Sequence, residues 1–230
     1  MKIIITGASG FIGTNLLEHF KTLDFEVFNI DIDKPRNEKH IEYWHEIDIC
    51  DFESLKNIFD KIQADYVVHL AARTDLNEDD GLEYYSANIK GVENVVKVCD
   101  LDSSIKRVIF ASSMLVNEVG YKPKNIFDYN PATIYGKSKV MSENIIFDNK
   151  DTLTEFCIIR PTSIWGEWFK KPYKTFFDYV LQGKFFHLGD KACTKTYGYV
   201  GNSVFQIEKL LFANNRYNKR TSILYWRQSS

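Results

Sequence analysis

The chain has 230 residues, 44% hydrophobic and 26% charged, with a formal net charge of −2. That size suits one large α/β domain, or one domain with a small appended lobe, and the composition is that of a soluble globular protein. The near-neutral balance gives no electrostatic ground for a nucleic-acid or anionic-membrane partner, and no apolar run is long enough to span a bilayer.

The N-terminus enters a strand directly, without the charged region, apolar region and cleavage site of a secretory leader. Cys50, Cys99, Cys157 and Cys193 are widely dispersed, and the five histidines form no metal-binding pair. No structural metal and a reducing, cytoplasmic setting are therefore expected.

Met1-Lys2-Ile3-Ile4-Ile5 reads as a buried parallel strand. It runs into Thr6-Gly7-Ala8-Ser9-Gly10-Phe11-Ile12-Gly13, after which Leu16, Leu17 and Phe20 follow at helical spacing. Glycines at 7, 10 and 13 permit a tight turn, close ligand approach and close helix packing. The exposed N–H groups and the positive helix end suit a pyrophosphate. The second strand, Glu26–Ile30, ends at Asp31, an acid placed to accept from adenosine ribose hydroxyls. An acid there repels a 2′-phosphate and favours NAD over NADP. Asp33 competes for the role, and Lys34 and Arg36 weaken the preference.

Further strands are read at Tyr66–Leu70, Arg107–Phe110 and Glu155–Ile159, with a helix over roughly 84–100. Tyr135 and Lys139 stand four apart on one helical face, where an ammonium favours the phenolate and draws a pKa of about 10 toward working pH. The alternation predicts a doubly wound parallel α/β sheet (a Rossmann fold), with ligands at the carboxyl ends of the strands. It places residues 1–164 in the dinucleotide-binding domain. From Trp165 the chain becomes rich in aromatic and basic residues. Residues 165–230 read as a small, incomplete substrate lobe or a second small core, interleaved with a late helix at about 203–213.

Together these segments resemble the extended short-chain dehydrogenase/reductase superfamily, in its NAD-dependent epimerase/dehydratase branch acting on nucleotide sugars. The marks are Thr6–Gly13, Asp31, Asp48-Ile49, His69-Leu70-Ala71-Ala72, Asn88–Gly91, Ala111-Ser112-Ser113, Tyr135–Lys139 and Arg160-Pro161. The resemblance implies NAD held by Gly7, Gly10, Phe11, Ile12 and Gly13 at the pyrophosphate and by Asp31 at the ribose. It puts Asp48 and Ile49 at the adenine, and Leu70, Ala71, Ala72, Asn88, Ser112 and Pro161 about the remainder. Ser113, Tyr135 and Lys139 would be catalytic. Tyr135 would be the general base and Lys139 would bind the nicotinamide ribose. Thr74, Ser113 and Ser163 would meet a UDP- or dTDP-sugar.

The implied reaction passes through a transient 4-keto sugar. Met114-Leu115 occupy the places of the Asp-Glu pair that dehydratases carry, so epimerisation or simple oxidation/reduction is expected ahead of dehydration. Asn117-Glu118, Ser163 and Tyr199-Val200-Gly201-Asn202 depart from the usual pattern; Asn117 and Ser163 would lie near the substrate and point to an unusual sugar. Relatives of this type continue well beyond the helix containing Val204, Ile207, Leu210 and Leu211. A C-terminally shortened chain is therefore expected, through truncation or a frameshift. The alternative function is a non-catalytic NAD-binding sensor or partner protein. The resemblance also implies a homodimer built on the helices near 84–100 and 135–147.

Overall fold

The computed structural model describes residues 1–76, 81–169, 173–184, 196–213 and 222–225. Seven parallel strands form the main sheet, in the order β3-β2-β1-β4-β5-β6-β9. They are β1 (Lys2–Thr6), β2 (Glu26–Asp31), β3 (Trp44–Glu46), β4 (Tyr66–His69), β5 (Arg107–Ala111), β6 (Glu155–Arg160) and β9 (Ser222–Tyr225). The order runs outward in both directions from β1 and β4, so the topological switch lies between those two strands, where open α/β sheets leave a crevice. The Rossmann expectation is met.

Why the sheet is covered on both faces follows from β1. Ile4 packs on one side with Leu55, Phe59 and Ile62 of α2 (Phe52–Ile62) and with Val92, Val95 and Val96 of α3 (Val92–Leu101). Ile3 and Ile5 face the other side, against Leu16, Leu17 and Phe20 of α1 (Phe11–Thr22) and Val204, Ile207 and Leu211 of α6 (Val200–Leu211). A strand buried on both faces has no polar alternation, which is why β1 reads as a continuous apolar run. Each buried Ile contributes about 1.5–3 kcal/mol over an exposed one.

The late helix is α6, and residues 222–225 also join the main sheet by pairing with β6 in the register Ile158↔Ile223. A two-stranded parallel sheet of β7 (Ser163–Trp165) and β8 (Tyr197–Tyr199) stands apart, with α5 (Tyr173–Leu181) nearby through the Trp165–Phe177 ring contact. Cys193, residues 218–221 and residues 226–230 lie outside the described residues.

The helix expected over 84–100 is composite: a short 3-10 turn at Glu83–Tyr85, a π-helical stretch at Ala87–Gly91, then α3. Within the wide turn the Asn88 carbonyl accepts from the Ser142 hydroxyl of α4 (Ile134–Asp148), a tertiary partner. Helix α4 itself begins where Thr133 caps it, its Oγ1 accepting from the Gly136 N–H at 2.9 Å.

Candidate active site

One large cleft, of about 1460 Å³, opens at the carboxyl ends of β1, β2, β4, β5 and β6. Small-ligand pockets run to roughly 300–1,000 Å³, so this one has room for a dinucleotide and a second ligand. Its floor is the glycine turn. Gly7 sits at φ +80°, and a Cβ there would lie 2.5 Å from the Ala71 nitrogen; a Cβ on Gly13 would lie 2.3 Å from the Gly7 carbonyl oxygen. Side chains at these two positions would drive β1, β4 and α1 apart. The turn thus carries no side chain at residues 7, 10 and 13 and closes tightly at the head of α1, the arrangement that suits a phosphate group.

Asp31 lines the cleft beside this turn. Its carboxylate accepts from the Ser9 N–H at 3.0 Å and the Asp33 N–H at 3.1 Å. Desolvation is the larger influence and raises its pKa above the ordinary value, with those backbone donors pulling the other way. Asp48 and Ile49 stand on the same wall, and Asp48 Oδ1 accepts from the Cys50 N–H at 2.8 Å.

At the opposite end Ser113, Tyr135 and Lys139 come together, with Ser112, Leu70, Ala71, Ala72, Thr74 and Pro161 on the surrounding wall. Ser113 is placed by the turn after β5 and its Oγ accepts from the Leu115 N–H at 3.1 Å. The Tyr135 phenol stands beside the Ser113 hydroxyl, which favours its charged form. Lys139, one helical turn on, is buried and donates from Nζ to the Ala111 carbonyl at 3.0 Å.

One expectation about this end needs correction. Spacing alone predicts a lowered Tyr135 pKa, yet burial dominates and pushes it up to about 12, opposed by the Ser113 hydroxyl and reinforced by Tyr85. Burial acts on Lys139 as well, pushing it down to about 8 against the raising influence of Glu143. Asn88 stands on the helical stretch behind Ala71 and Ala72, as expected. It is fully buried, bonded to the Arg73 backbone and to Ser138 Oγ. Ser163 lies on β7, paired with Tyr197, and it is Thr162 and Ile164 that line the cleft.

Several cleft residues carry no signal in the pattern of motifs. Arg36 donates from Nε to the Ser9 carbonyl at 3.2 Å and from its guanidinium to the Trp168 carbonyl, tying the glycine turn to the segment after β7. Phe169 meets Phe11 edge-on at 4.8 Å and lines the same opening. The Arg73 guanidinium lies 4.0 Å over the Tyr84 ring, at the mouth near Asp75. Ser9, inside the glycine motif, was open to recognition from the sequence; the others depend on contacts remote in the chain.

A doubly wound sheet with a bare glycine turn at its switch point defines a dinucleotide-binding fold of the Rossmann class. The NAD dependent epimerase/dehydratase family model matches residues 3–204, and the chain belongs to that family. It is 31% identical over 207 residues to the N-acetyl-alpha-D-glucosaminyl-diphospho-ditrans,octacis-undecaprenol 4-epimerase of Escherichia coli O157:H7, covering 88% of this chain and 61% of that protein. It is 32% identical over 195 residues to a UDP-glucose 4-epimerase of Vibrio cholerae, covering 79% of this chain and 57% of that one. The chain thus spans about three-fifths of the length of these relatives. A dTDP-glucose 4,6-dehydratase of Haemophilus influenzae is 29% identical over 174 residues, covering 64% of this chain and 50% of the dehydratase, so both reaction types occur among relatives. Among solved structures, the UDP-glucose 4-epimerase of Thermus thermophilus in complex with NAD superposes with a TM-score of 0.80 at 21% identity, covering 97% of this chain and 76% of that one. That likeness is one of fold.

Among the described residues no helix is long and apolar enough to cross a membrane, and no cluster of metal-ligating side chains is found.

Proposed function

We propose that this chain is an NAD-dependent nucleotide-sugar epimerase, or a closely related oxidoreductase, acting through a transient 4-keto sugar. The observation that carries the reading is the convergence of Ser113, Tyr135 and buried Lys139 on a cleft whose other end is the glycine turn and Asp31. Gly7, Gly10, Phe11, Ile12 and Gly13 would hold the pyrophosphate, Asp31 a ribose, and Asp48 and Ile49 the adenine. The close packing at Gly7 and Gly13, where a Cβ would collide with the backbone of Ala71 and of Gly7, lets the turn sit tight at the head of α1 and fits that group. When bound, NAD supplies a reversible hydride acceptor.

The chain's own residues manage the proton and the charge. Tyr135 takes the proton of the sugar hydroxyl while Ser113 donates to the oxygen on which charge develops. Lys139, cationic at neutral pH, sits a helical turn from the phenol, and its role in this reading is to favour the phenolate against the opposing effect of burial. The segment after Ser113 is a short 3-10 turn, Met114–Val116, without an acid to expel water from a neighbouring carbon. That supports epimerisation over dehydration. Thr74 and Ser113 are the cleft residues proposed to meet the sugar, with a UDP- or dTDP-sugar as substrate class. In this reading residues 1–164 carry the cofactor side and residues 165–230 the substrate side. A homodimer through α3 and α4 belongs to the same reading.

The test is a cofactor titration together with a panel of nucleotide sugars, run on the wild type and on Tyr135→Phe. NAD should bind both proteins, and conversion of at least one sugar should drop by about 10³-fold or more in the variant. NAD binding with no Tyr135-dependent conversion across the panel would instead establish a non-catalytic dinucleotide-binding protein.

A further inference from the structure

Beneath the Tyr135–Lys139 face of α4 lies a second set of charges that the proposed chemistry does not use. Glu143 follows Lys139 by four residues, so the two share a helical face with Cβ atoms about 5–6 Å apart. Both are buried. Glu143 Oε1 accepts from Arg160 Nε at 2.8 Å, and Oε2 accepts from Arg160 Nη2 and from the Tyr129 hydroxyl at 2.8 Å. Arg160 Nη2 also donates to the Ile126 carbonyl at 2.7 Å, and its guanidinium lies 5.2 Å from the Tyr129 ring centre. The Arg160 and Glu143 side chains are fully screened from solvent.

This carboxylate joins three segments of the site. Helix α4 carries Tyr135 and Lys139. Strand β6 ends at Arg160 and delivers Pro161, Thr162 and Ile164 to the cleft. The connection containing Ile126 and Tyr129 leads into α4. The Pro161 carbonyl in turn accepts from the Met114 N–H at 3.1 Å, next to Ser113.

Resting on the function proposed above, we propose that Glu143 is a positioning residue of this site, a buried carboxylate bound by Arg160 and Tyr129 one helical turn from Lys139, that holds the charged face of α4 against the cleft wall. Around Lys139 stand His69 from β4, the Ala111 carbonyl from β5, and Tyr135 and Glu143 from its own helix, with Arg160 of β6 reached through Glu143. Glu143 is thus ion-paired with Arg160 and stands one helical turn from the Lys139 ammonium, in a region of low polarity. A buried ion pair is weak evidence for stability, since apolar side chains often replace one without loss. A counter-charge beside a working lysine gives it a different reason to be there.

The geometry makes opposite predictions for its two ends. Glu143→Gln keeps the shape and most hydrogen bonds but leaves Lys139 and Arg160 uncompensated, so Lys139 should release its proton more easily. Arg160→Met removes the competing cation and should make Lys139 hold its proton more tightly. The probe is the Lys139 ammonium in protein labelled with ¹⁵N at lysine Nζ, titrated by NMR and assigned by its loss in Lys139→Met. The expected result is a midpoint about one pH unit lower, tenfold in proton affinity, in Glu143→Gln, and a higher midpoint in Arg160→Met. Tyr129→Phe retains both charges and should leave the midpoint within about 0.3 unit.

A folded Glu143→Gln with the wild-type midpoint overturns the proposal. So does movement in the same direction in both charge variants, or a full-unit shift in Tyr129→Phe, since each would assign the effect to packing. If Glu143→Gln does not fold, the direction of the shift in Arg160→Met decides; if neither charge variant folds, Tyr129→Phe decides. The titration needs neither cofactor nor sugar, so its outcome is separate from that of the substrate panel. If the panel finds turnover, the basic limb of the kcat profile should move with the same midpoint.

Discussion

The side-chain amide of Asn88 holds the backbone of Arg73 from both directions: Oδ1 accepts from the Arg73 N–H at 2.8 Å and Nδ2 donates to the Arg73 carbonyl at 3.0 Å. Nδ2 also reaches Ser138 Oγ on α4 at 2.9 Å. One buried side chain thus fixes the cleft wall after β4 to the helix bearing Tyr135 and Lys139. Asn88→Ala removes three hydrogen bonds and leaves polar groups without partners, a loss of about 1–3 kcal/mol or more. Thermal unfolding should show it as a Tm lowered by roughly 2–4 °C per kcal/mol, with weakened NAD binding by titration. An unchanged Tm together with unchanged affinity would contradict this account of the wall.

Lys139 works against the fold. Burial lowers its pKa from 10.5 to about 8, so the folded chain binds that proton less readily than the unfolded chain does. Charged Lys139 therefore opposes folding at pH 7, and the opposition fades as pH rises through about 8 toward 10.5. The shift corresponds to at most about 3 kcal/mol. Lys139→Met should raise the Tm at pH 7 and abolish turnover, and its advantage should shrink at pH 10. A lower Tm at pH 7 would show that hydrogen bonding to Ala111 outweighs the cost of burial.

His69 supplies the acid limb. It is buried with Nδ1 2.7 Å from Thr6 Oγ1, and burial, with Lys139 nearby, lowers its pKa from 6.5 to about 3. The folded chain resists protonation, so the contribution is complete above about pH 6.5 and is lost as pH falls toward 3. The slope is about 1.4 kcal/mol per pH unit. His69→Asn can still meet Thr6 but cannot titrate. Denaturant unfolding between pH 6.5 and 4 should give it a flatter dependence than the wild type, whatever its stability at pH 7.

Gly7→Ala combines strain and collision, since φ is +80° and the new methyl would meet the Ala71 backbone at 2.5 Å. Gly120, at φ +92° with nothing within 4 Å of its would-be Cβ, isolates the strain. Gly120→Ala should cost about 1–2 kcal/mol and leave NAD binding intact. Gly7→Ala should cost more and abolish binding. Equal losses of Tm in the two variants, with NAD still bound, would remove the close approach from the explanation.

The strands visible in the sequence are those buried on both faces. Ile3–Ile5, Val67-Val68, Val108–Phe110 and Phe156–Ile159 are apolar runs because each side chain meets a helix layer or sheet neighbour. Strand β3, Trp44-His45-Glu46, is short and polar and carries no such mark; Trp44 Nε1 donates to the Asp31 carbonyl at 2.9 Å and anchors it at the edge. Strand β9 is equally unmarked, because an edge strand of four residues takes its identity from its partner β6.

The site divides along the same line. The glycine turn and the Tyr135/Lys139 spacing are legible because each lies within one short segment, where backbone geometry alone places the groups. What Asn88, Arg36 and Glu143 touch is not legible, since their partners lie 15, 27 and 132, or 17 residues away. The sequence by itself determined the Rossmann order and which residues stand at the strand ends, through local periodicity and the steric needs of tight turns. Only the tertiary structure decided how those groups are charged. Desolvation and Coulomb interactions depend on distance and burial in space, so the spacing that placed Lys139 beside Tyr135 did not show that burial would raise one pKa and lower the other.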